Sequence, residues 1–398
     1  MSQEASGNQQ STKRTNQPRS RSTILAMRSL DFSQTMFLIQ TVQVGIGLLN
    51  LPRVIVEAAG HSGWQGIILA GFLVQIAIWI MVVLLRRFEN LDIYEIARRV
   101  LGKWVGNLLG LLFAFYCVFA TGLVARSYIE VVQSWLFPTT STPVFFLLFL
   151  IPCLYCATGG ARVLGRFAVV TFFATAWMLI LMFAPAREVQ LDYYLPLFDA
   201  PIDKLMAATT KVSASVIGFE MLLVVFPFVQ RKDKVLLASS IGIWITQVIY
   251  LMVTLVAIGF YGEKFIEHLI SPTLHMFKIV QLPMIERMEQ IGIATWSFLI
   301  VNTTGTYLWA AGRYLHTLTA WKERTCIYLF VPFVIGIGLF PRNMFLLDEF
   351  EGYLSLAGYF FAGLLPVLLL LLALIFKKKG GVKEDSSPQE EKEESTAS

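Results

Sequence analysis

Charge is scarce in this chain. Of its 398 residues only 15% are Asp, Glu, Lys or Arg, against 56% hydrophobic, and the mean hydropathy is +0.64. That shortage excludes a soluble domain of this length. Histidine is scarce too: His61, His268, His275 and His316 are dispersed among loops and helix ends. There is no GxSxG, no phosphate loop ending in GK[ST] and no HExxH, so no catalytic constellation stands out. The four cysteines, Cys117, Cys153, Cys156 and Cys326, all lie in or beside apolar runs. Cys153 and Cys156 form a CxxC without a second ligand pair, which reads as small core residues rather than a metal or redox centre. No enzyme activity, cofactor or metal is expected. The first 31 residues lack an apolar stretch, so no signal peptide is expected. The net charge of +5 is no sign of nucleic-acid binding, because the positive residues sit in loops and tails.

Long uncharged runs are what the chain has in plenty. Val235–Tyr261, Gly352–Phe376, Val105–Ala125 and Ile291–Gly312 each reach the roughly 20 residues a helix needs to cross a bilayer. The chain reads as an all-α polytopic membrane protein. Ten spans can be drawn, near 33–58, 64–85, 104–133, 143–158, 166–185, 205–229, 235–260, 291–315, 324–340 and 353–376. They form a transmembrane domain over 32–376, between polar tails at 1–31 and 377–398 that are expected to be disordered. Segment 92–102 is amphipathic and is expected as a short helix on the membrane surface. The connection 261–290 is expected as a helical loop over a vestibule. With the N-terminus inside, 23 of the 32 Lys and Arg residues fall on inner segments and 6 on outer loops, which puts both termini in the cytoplasm.

Ten spans divide into two sets of five, 32–186 and 200–376, and an odd number per set turns the second set over. Gly45 follows Phe32 by thirteen residues, and Gly218 follows Leu205 by thirteen. Pro52 closes the first motif and Pro227 the second. An inverted repeat places its broken helices at such matching positions. In a bilayer free peptide groups are costly, so interrupted helices persist mainly where they line a cavity.

The residues at these interruptions are therefore the candidate site. Val44, Gly45, Ile46 and Gly47 lie at the first, and Ile217, Gly218, Phe219 and Glu220 at the second. A half-helix start attracts anions, and the segment near Gly45 suits a substrate carboxylate; the alternative is that its glycines only permit tight helix crossing. Glu220 is the one acidic residue in the apolar body of its span. Three roles fit it: receiving a ligand ammonium, carrying a coupling proton, or capping its own half-helix. Tyr116, Phe119 and Thr121 offer mid-depth side chains on the third span, and Asn302, Thr303, Thr304 and Thr306 on the eighth. Arg126 and Glu130 are spaced to pair as a structural link or an outer gate.

Five stretches resemble a known family. Thr41-Val-Gln-Val-Gly-Ile-Gly-Leu-Leu-Asn-Leu-Pro52, followed by Glu57-Ala-Ala-Gly-His-Ser-Gly-Trp64, is similar to the first-helix signature of spore germinant receptor B subunits. Tyr194-Leu-Pro-Leu-Phe198, Gly218-Phe-Glu-Met-Leu222 with Phe226-Pro227, and Glu289-Gln-Ile-Gly with Trp296 resemble later parts of that family in order. The resemblance implies the LeuT-like fold of amino acid–polyamine–organocation transporters, a 5+5 inverted repeat with broken first and sixth helices. It implies a small germinant, usually an amino acid, and partner A and C subunits in the inner membrane of a bacterial endospore. Carried over, the germinant site uses Val44, Gly45, Ile46 and Gly47 with Ile217, Gly218, Phe219 and Glu220, alongside Phe119 and Asn302. Thr303 and Thr304 are the weaker candidates for an ion. Some proton-coupled members place a lysine on the fifth helix; Phe167–Ala186 has none. A proton-coupled amino acid permease is the rival reading, and a passive pore a third.

Overall fold

The computed structural model describes residues 29–280, 287–319 and 321–378. The tails expected to be disordered lie, apart from their innermost residues, outside the described residues. Fourteen helices of eight residues or more run through the described residues. They are α1 (Phe32–Gln43), α2 (Gly47–Ala59), α3 (Gln65–Arg87), α4 (Ile93–Leu101), α5 (Lys103–Trp135), α6 (Thr142–Thr158) and α7 (Ala161–Leu181). Then come α8 (Ile202–Ser215), α9 (Val235–Tyr261), α10 (Pro272–Ile279), α11 (Met288–Thr319), α12 (Glu323–Leu339), α13 (Met344–Gly358) and α14 (Leu365–Ile375). Five helical stretches are long and apolar enough to cross a membrane, or six if the bent pair Ile202–Ser215 and Phe219–Phe228 counts as one. Several segments drawn as spans fall short of that measure for simple reasons. α1, α6 and α12 have 12, 17 and 17 residues, below the roughly 20 a span needs. α11 has the length but carries Asn302, Thr303, Thr304 and Thr306 mid-helix.

The long helix α11 forms the axis of the bundle, packing on α5, α7, α6 and α12, while α1 lies against α9, α7 and α11. Burial follows that arrangement. Leu308, Trp309, Ala310 and Ala311 on α11 are sealed, whereas Phe72, Leu73, Ile76 and Trp79 on α3 face outward, as apolar groups do toward lipid. Helix starts are written locally. Asp31 accepts from the Gln34 amide at 2.7 Å and Gln34 returns a bond to Asp31, a capping box that opens α1. Asp92 and Glu95 do the same for α4.

The helical domain reaches back to Leu30, ahead of the limit drawn at Phe32. The Leu30 amide donates to the Phe228 carbonyl at 2.7 Å, and the Gln230 amide donates to the Leu30 carbonyl at 2.9 Å. Leu30 is fully buried. The amphipathic segment is helical, but its apolar face is covered by the bundle instead of lipid: Ile93, Tyr94, Ile96, Ala97 and Val100 are buried, and the Tyr94 hydroxyl donates to the Ala310 carbonyl at 2.7 Å.

The connection after α9 carries α10, which docks on α2 for a visible reason. Pro52 has no N–H to give to the Leu48 carbonyl one turn back. Thr273 of α10 donates to that carbonyl at 3.0 Å, and Ser271 donates to the Asn50 side chain at 2.9 Å.

Candidate functional site

α1 stops at Gln43 and α2 starts at Gly47, with Val44, Gly45 and Ile46 between them. Among the described residues no side chain caps the restart at Gly47, so the first amides of α2 keep the partial positive charge of an open helix start. α8 stops at Ser215, and the chain turns through Gly218 into Phe219–Phe228 at 49° to it. Gly218 has φ +135°, and a Cβ there would lie 2.7 Å from the Val42 carbonyl oxygen. Only glycine fits that turn. Gly47 is a close-approach position, since its Cβ would stand 3.1 Å from the Ser215 side chain. The two interruptions are thus pressed together. Tyr250 of α9 ties them further: its hydroxyl is 3.1 Å from the Gln43 carbonyl and 3.0 Å from the Ser215 carbonyl. The Ser215 carbonyl is an orphan at a helix end, which needs a donor, while the Gln43 carbonyl also accepts from the Gly45 amide at 2.9 Å.

A cavity of about 1100 Å³ opens at this junction and runs to the end of the bundle opposite the chain termini. Of the candidate residues, Gly45, Ile46, Gly47, Ile217 and Thr303 stand on its wall. Nothing lies within 4 Å of a Cβ placed on Gly45, so its face toward the cavity is open. The other candidates are placed elsewhere. Val44 lines a small apolar crevice with Phe172 and Trp296. Phe219 lines a separate cavity of about 300 Å³ beside α3 and α8, which Ile217 and Tyr359 share. Phe119 meets Phe350 in a tilted ring contact at 5.9 Å. Asn302 is fully buried and donates to the Thr41 hydroxyl at 2.7 Å. Thr303 donates to the Thr41 and Leu299 carbonyls, and Thr304 to the Ile300 carbonyl and the Cys153 sulfur.

Glu220 is fully buried and its oxygens are well occupied. The hydroxyls of Tyr116 and Tyr307 donate to Oε1 at 2.8 and 2.7 Å, and the Gly218 amide donates to Oε2 at 2.7 Å. The last bond is the local cap. The first two carry the carboxylate's influence outward, because Tyr116 of α5 and Tyr307 of α11 both stand on the cavity wall. With their protons committed to Glu220, the two phenol oxygens keep lone pairs to accept from a ligand.

Farther along the cavity the wall is acidic. Ser127 donates to Glu351 in a short hydrogen bond, and Glu130, Asp348 and Lys211 stand on the same wall. Arg126 pairs with Glu130 at 2.6 Å. Ser127 is eleven residues from Tyr116 on one helix, or about 16 Å at 1.5 Å per residue, so the two zones are too far apart for one compact metabolite. α10 covers this mouth with His275, whose ring meets Trp135 at 5.1 Å; burial and the nearby Lys278 lower its pKa from 6.5.

Sequence reasoning missed Gln43, Tyr307, Tyr250, Ser127 and Glu351 as site residues. Tyr307 had a usable signal, one turn beyond Thr303 on the same face. Glu351 falls just outside the span drawn at 353–376, where an acidic residue is ordinary.

The terminal end is closed. Beyond the Leu30 pairing, Asp92 and Arg313 form an ion pair at 3.4 Å, and the Arg313 guanidinium lies over the Phe228 ring at 5.1 Å. Burial pushes the Asp92 carboxyl up to about 6 against the pull of Arg313.

Together these features define a multi-pass helical membrane protein with the architecture of a small-molecule transporter. The closed-conformation structure of Mhp1, a nucleobase-cation-symport-1 transporter with bromovinylhydantoin bound, overlays with a TM-score of 0.61. It covers 86% of this chain and 78% of its own at 13% identity. MhsT in complex with L-phenylalanine overlays with a TM-score of 0.56, over 87% of this chain and 89% of its own at 14% identity. At these identities the likeness is one of fold. Residues 29–344 match the family model for spore germination proteins, and the chain belongs to that family. Among its relatives is the spore germination protein GerQB of Bacillus cereus, 29% identical over 83% of this chain and 92% of that one. The spore germination protein A2 of Bacillus subtilis is 24% identical over 84% and 92%. The chain is thus a germinant-sensing or permease-like membrane protein of the germinant receptor B-subunit family, and not an enzyme.

Proposed function

We propose that this protein is the membrane subunit of a germinant receptor, and that a free amino acid binds at the inner end of the 1100 Å³ cavity. The observation that carries this reading is the convergence there of an uncapped helix start at Gly47 with Tyr116 and Tyr307, both tied to buried Glu220. The ligand carboxylate sits against the first amides of α2. Its ammonium is received by the two phenol oxygens, with the Glu220 charge behind them. This differs from direct contact with Glu220, whose oxygens are already occupied. Gly45, Ile46, Gly47 and Ile217 supply the close wall.

In the full proposal ten spans cross the bilayer as two inverted sets of five, the first broken at Gln43–Gly47 and the sixth at Ser215–Phe219. The protein lies in the inner membrane of an endospore, both termini cytoplasmic, and signals to A and C subunits. Ligand binding favours one conformation over another, and reversing a 1:99 population takes roughly 5.5 kcal/mol of differential affinity. The test is thermal unfolding of the purified protein with each common L-amino acid, paired with Glu220→Gln. A binding amino acid at a hundred times its Kd stabilises by about 2.7 kcal/mol. Failure of every amino acid, or an unchanged affinity in the Glu220→Gln variant, overturns the reading. The rival permease reading predicts concentrative, pH-driven uptake into liposomes; the receptor reading predicts binding without flux.

A further inference from the structure

Gln43 is buried at the last turn of α1, with 1% of its surface exposed, and it stands on the cavity wall. Neither Oε1 nor Nε2 has a hydrogen-bond partner among the described residues. Its own carbonyl is taken by Tyr250, so the open groups belong to the side chain alone. Burying an unpaired amide opposes folding. A methionine or leucine of similar size would fill the position without that cost. Gln40 and Gln247 also have unpaired buried amide atoms, but neither reaches the cavity wall.

A carboxamide offers one donor nitrogen and one acceptor oxygen side by side. The head group of a free α-amino acid offers the complement on a single carbon: a carboxylate that accepts and an ammonium that donates. The surroundings of Gln43 divide the same way. The uncapped start at Gly47 favours the anion, and the phenol oxygens of Tyr116 and Tyr307 favour the cation. We infer that the Gln43 side chain reads the zwitterionic head group of the ligand, Nε2 donating to the carboxylate and Oε1 accepting from the ammonium. This rests on the cavity being the ligand site proposed above. It narrows the ligand class to free α-amino acids with both charges intact. An amine or a carboxylic acid of the same skeleton satisfies half of the amide and leaves the other half buried and unpaired.

The test uses full-length protein in detergent. An amino acid that raises the wild-type melting temperature is titrated against wild type, Gln43→Leu and Gln43→Met, beside its decarboxylated amine and its deaminated acid. Hydrogen bonds to charged groups set the expected loss at about tenfold to a hundredfold in both variants. Their ligand-free melting temperature stays equal or rises, which a purely structural role for Gln43 does not produce. Wild type is expected to bind the amine and the acid at least tenfold more weakly than the amino acid. Equal affinity in either variant that folds, or an amine that binds as tightly as the amino acid, overturns the Gln43 assignment alone. A wild type that binds no amino acid sinks the site reading itself.

Discussion

Removing the carboxylate of Glu220 should weaken the fold in a way that depends on two tyrosines. Its oxygens accept from Tyr116 at 2.8 Å, Tyr307 at 2.7 Å and the Gly218 amide at 2.7 Å. All four residues are buried. Glu220→Ala strands three donors at about 1–3 kcal/mol each, a total comparable to the whole stability of a domain, so it is expected not to fold. Glu220→Gln keeps the shape but turns an NH₂ group toward a donor, at a cost of about 1.5–3 kcal/mol. Tyr116→Phe and Tyr307→Phe each remove one bond, at about 1–2 kcal/mol. Because each tyrosine loses its charged acceptor in the Glu220→Gln background, the costs should not add. Double-mutant cycles should give coupling of about 0.5–3 kcal/mol for each tyrosine with Glu220. Thermal or denaturant unfolding of the detergent-purified variants measures it. Additive costs within about 0.5 kcal/mol would refute the shared-acceptor arrangement.

The two interruptions make a contrasting pair. Gly218→Ala should destabilise by at least about 2 kcal/mol, from a φ that a Cβ disfavours and a clash with the Val42 carbonyl. Gly45→Ala, with open space around its Cβ, should leave the melting temperature nearly unchanged while reducing ligand affinity. Equal effects on melting would contradict the assigned packing. The buried Asp92 carboxyl should make stability depend on pH. Its pKa is about 6 in the fold and 3.8 ordinarily, so between these values the folded chain holds more protons than the unfolded one, and stability falls as pH rises through that window. Asp92→Asn should flatten that part of the melting profile; an unaltered slope would rule it out.

Much of this architecture was legible from local signals. Long apolar runs gave the membrane class, and Gly45 and Gly218 lie just past the ends of α1 and α8, whereas Pro52 lies inside α2. Partnership across the bundle was not legible. Glu220 stands out as an intramembrane acid, but its bonding to Tyr116 and Tyr307 joins residues 104 and 87 positions away, and no local pattern records that. Asn302 and Phe119 had the chemistry of site residues, yet helix rotation turned one toward Thr41 and the other toward Phe350. Gln43 was hidden because polarity at one position does not say whether a partner waits for it. The apolar face of α4 looked suited to lipid, and only its packing on α5 and α11 shows that protein covers it.

The backbone pairing at Leu30 has a directional consequence. It joins the foot of α1 to the segment leaving the second interruption, so both half-helices that meet at the cavity floor are also stitched together at the far end. While that stitch and the Asp92–Arg313 pair hold, a solute arriving past α10 meets a blind alley and must leave the way it came. That stitch is made of main-chain bonds, which no side-chain rotation can release.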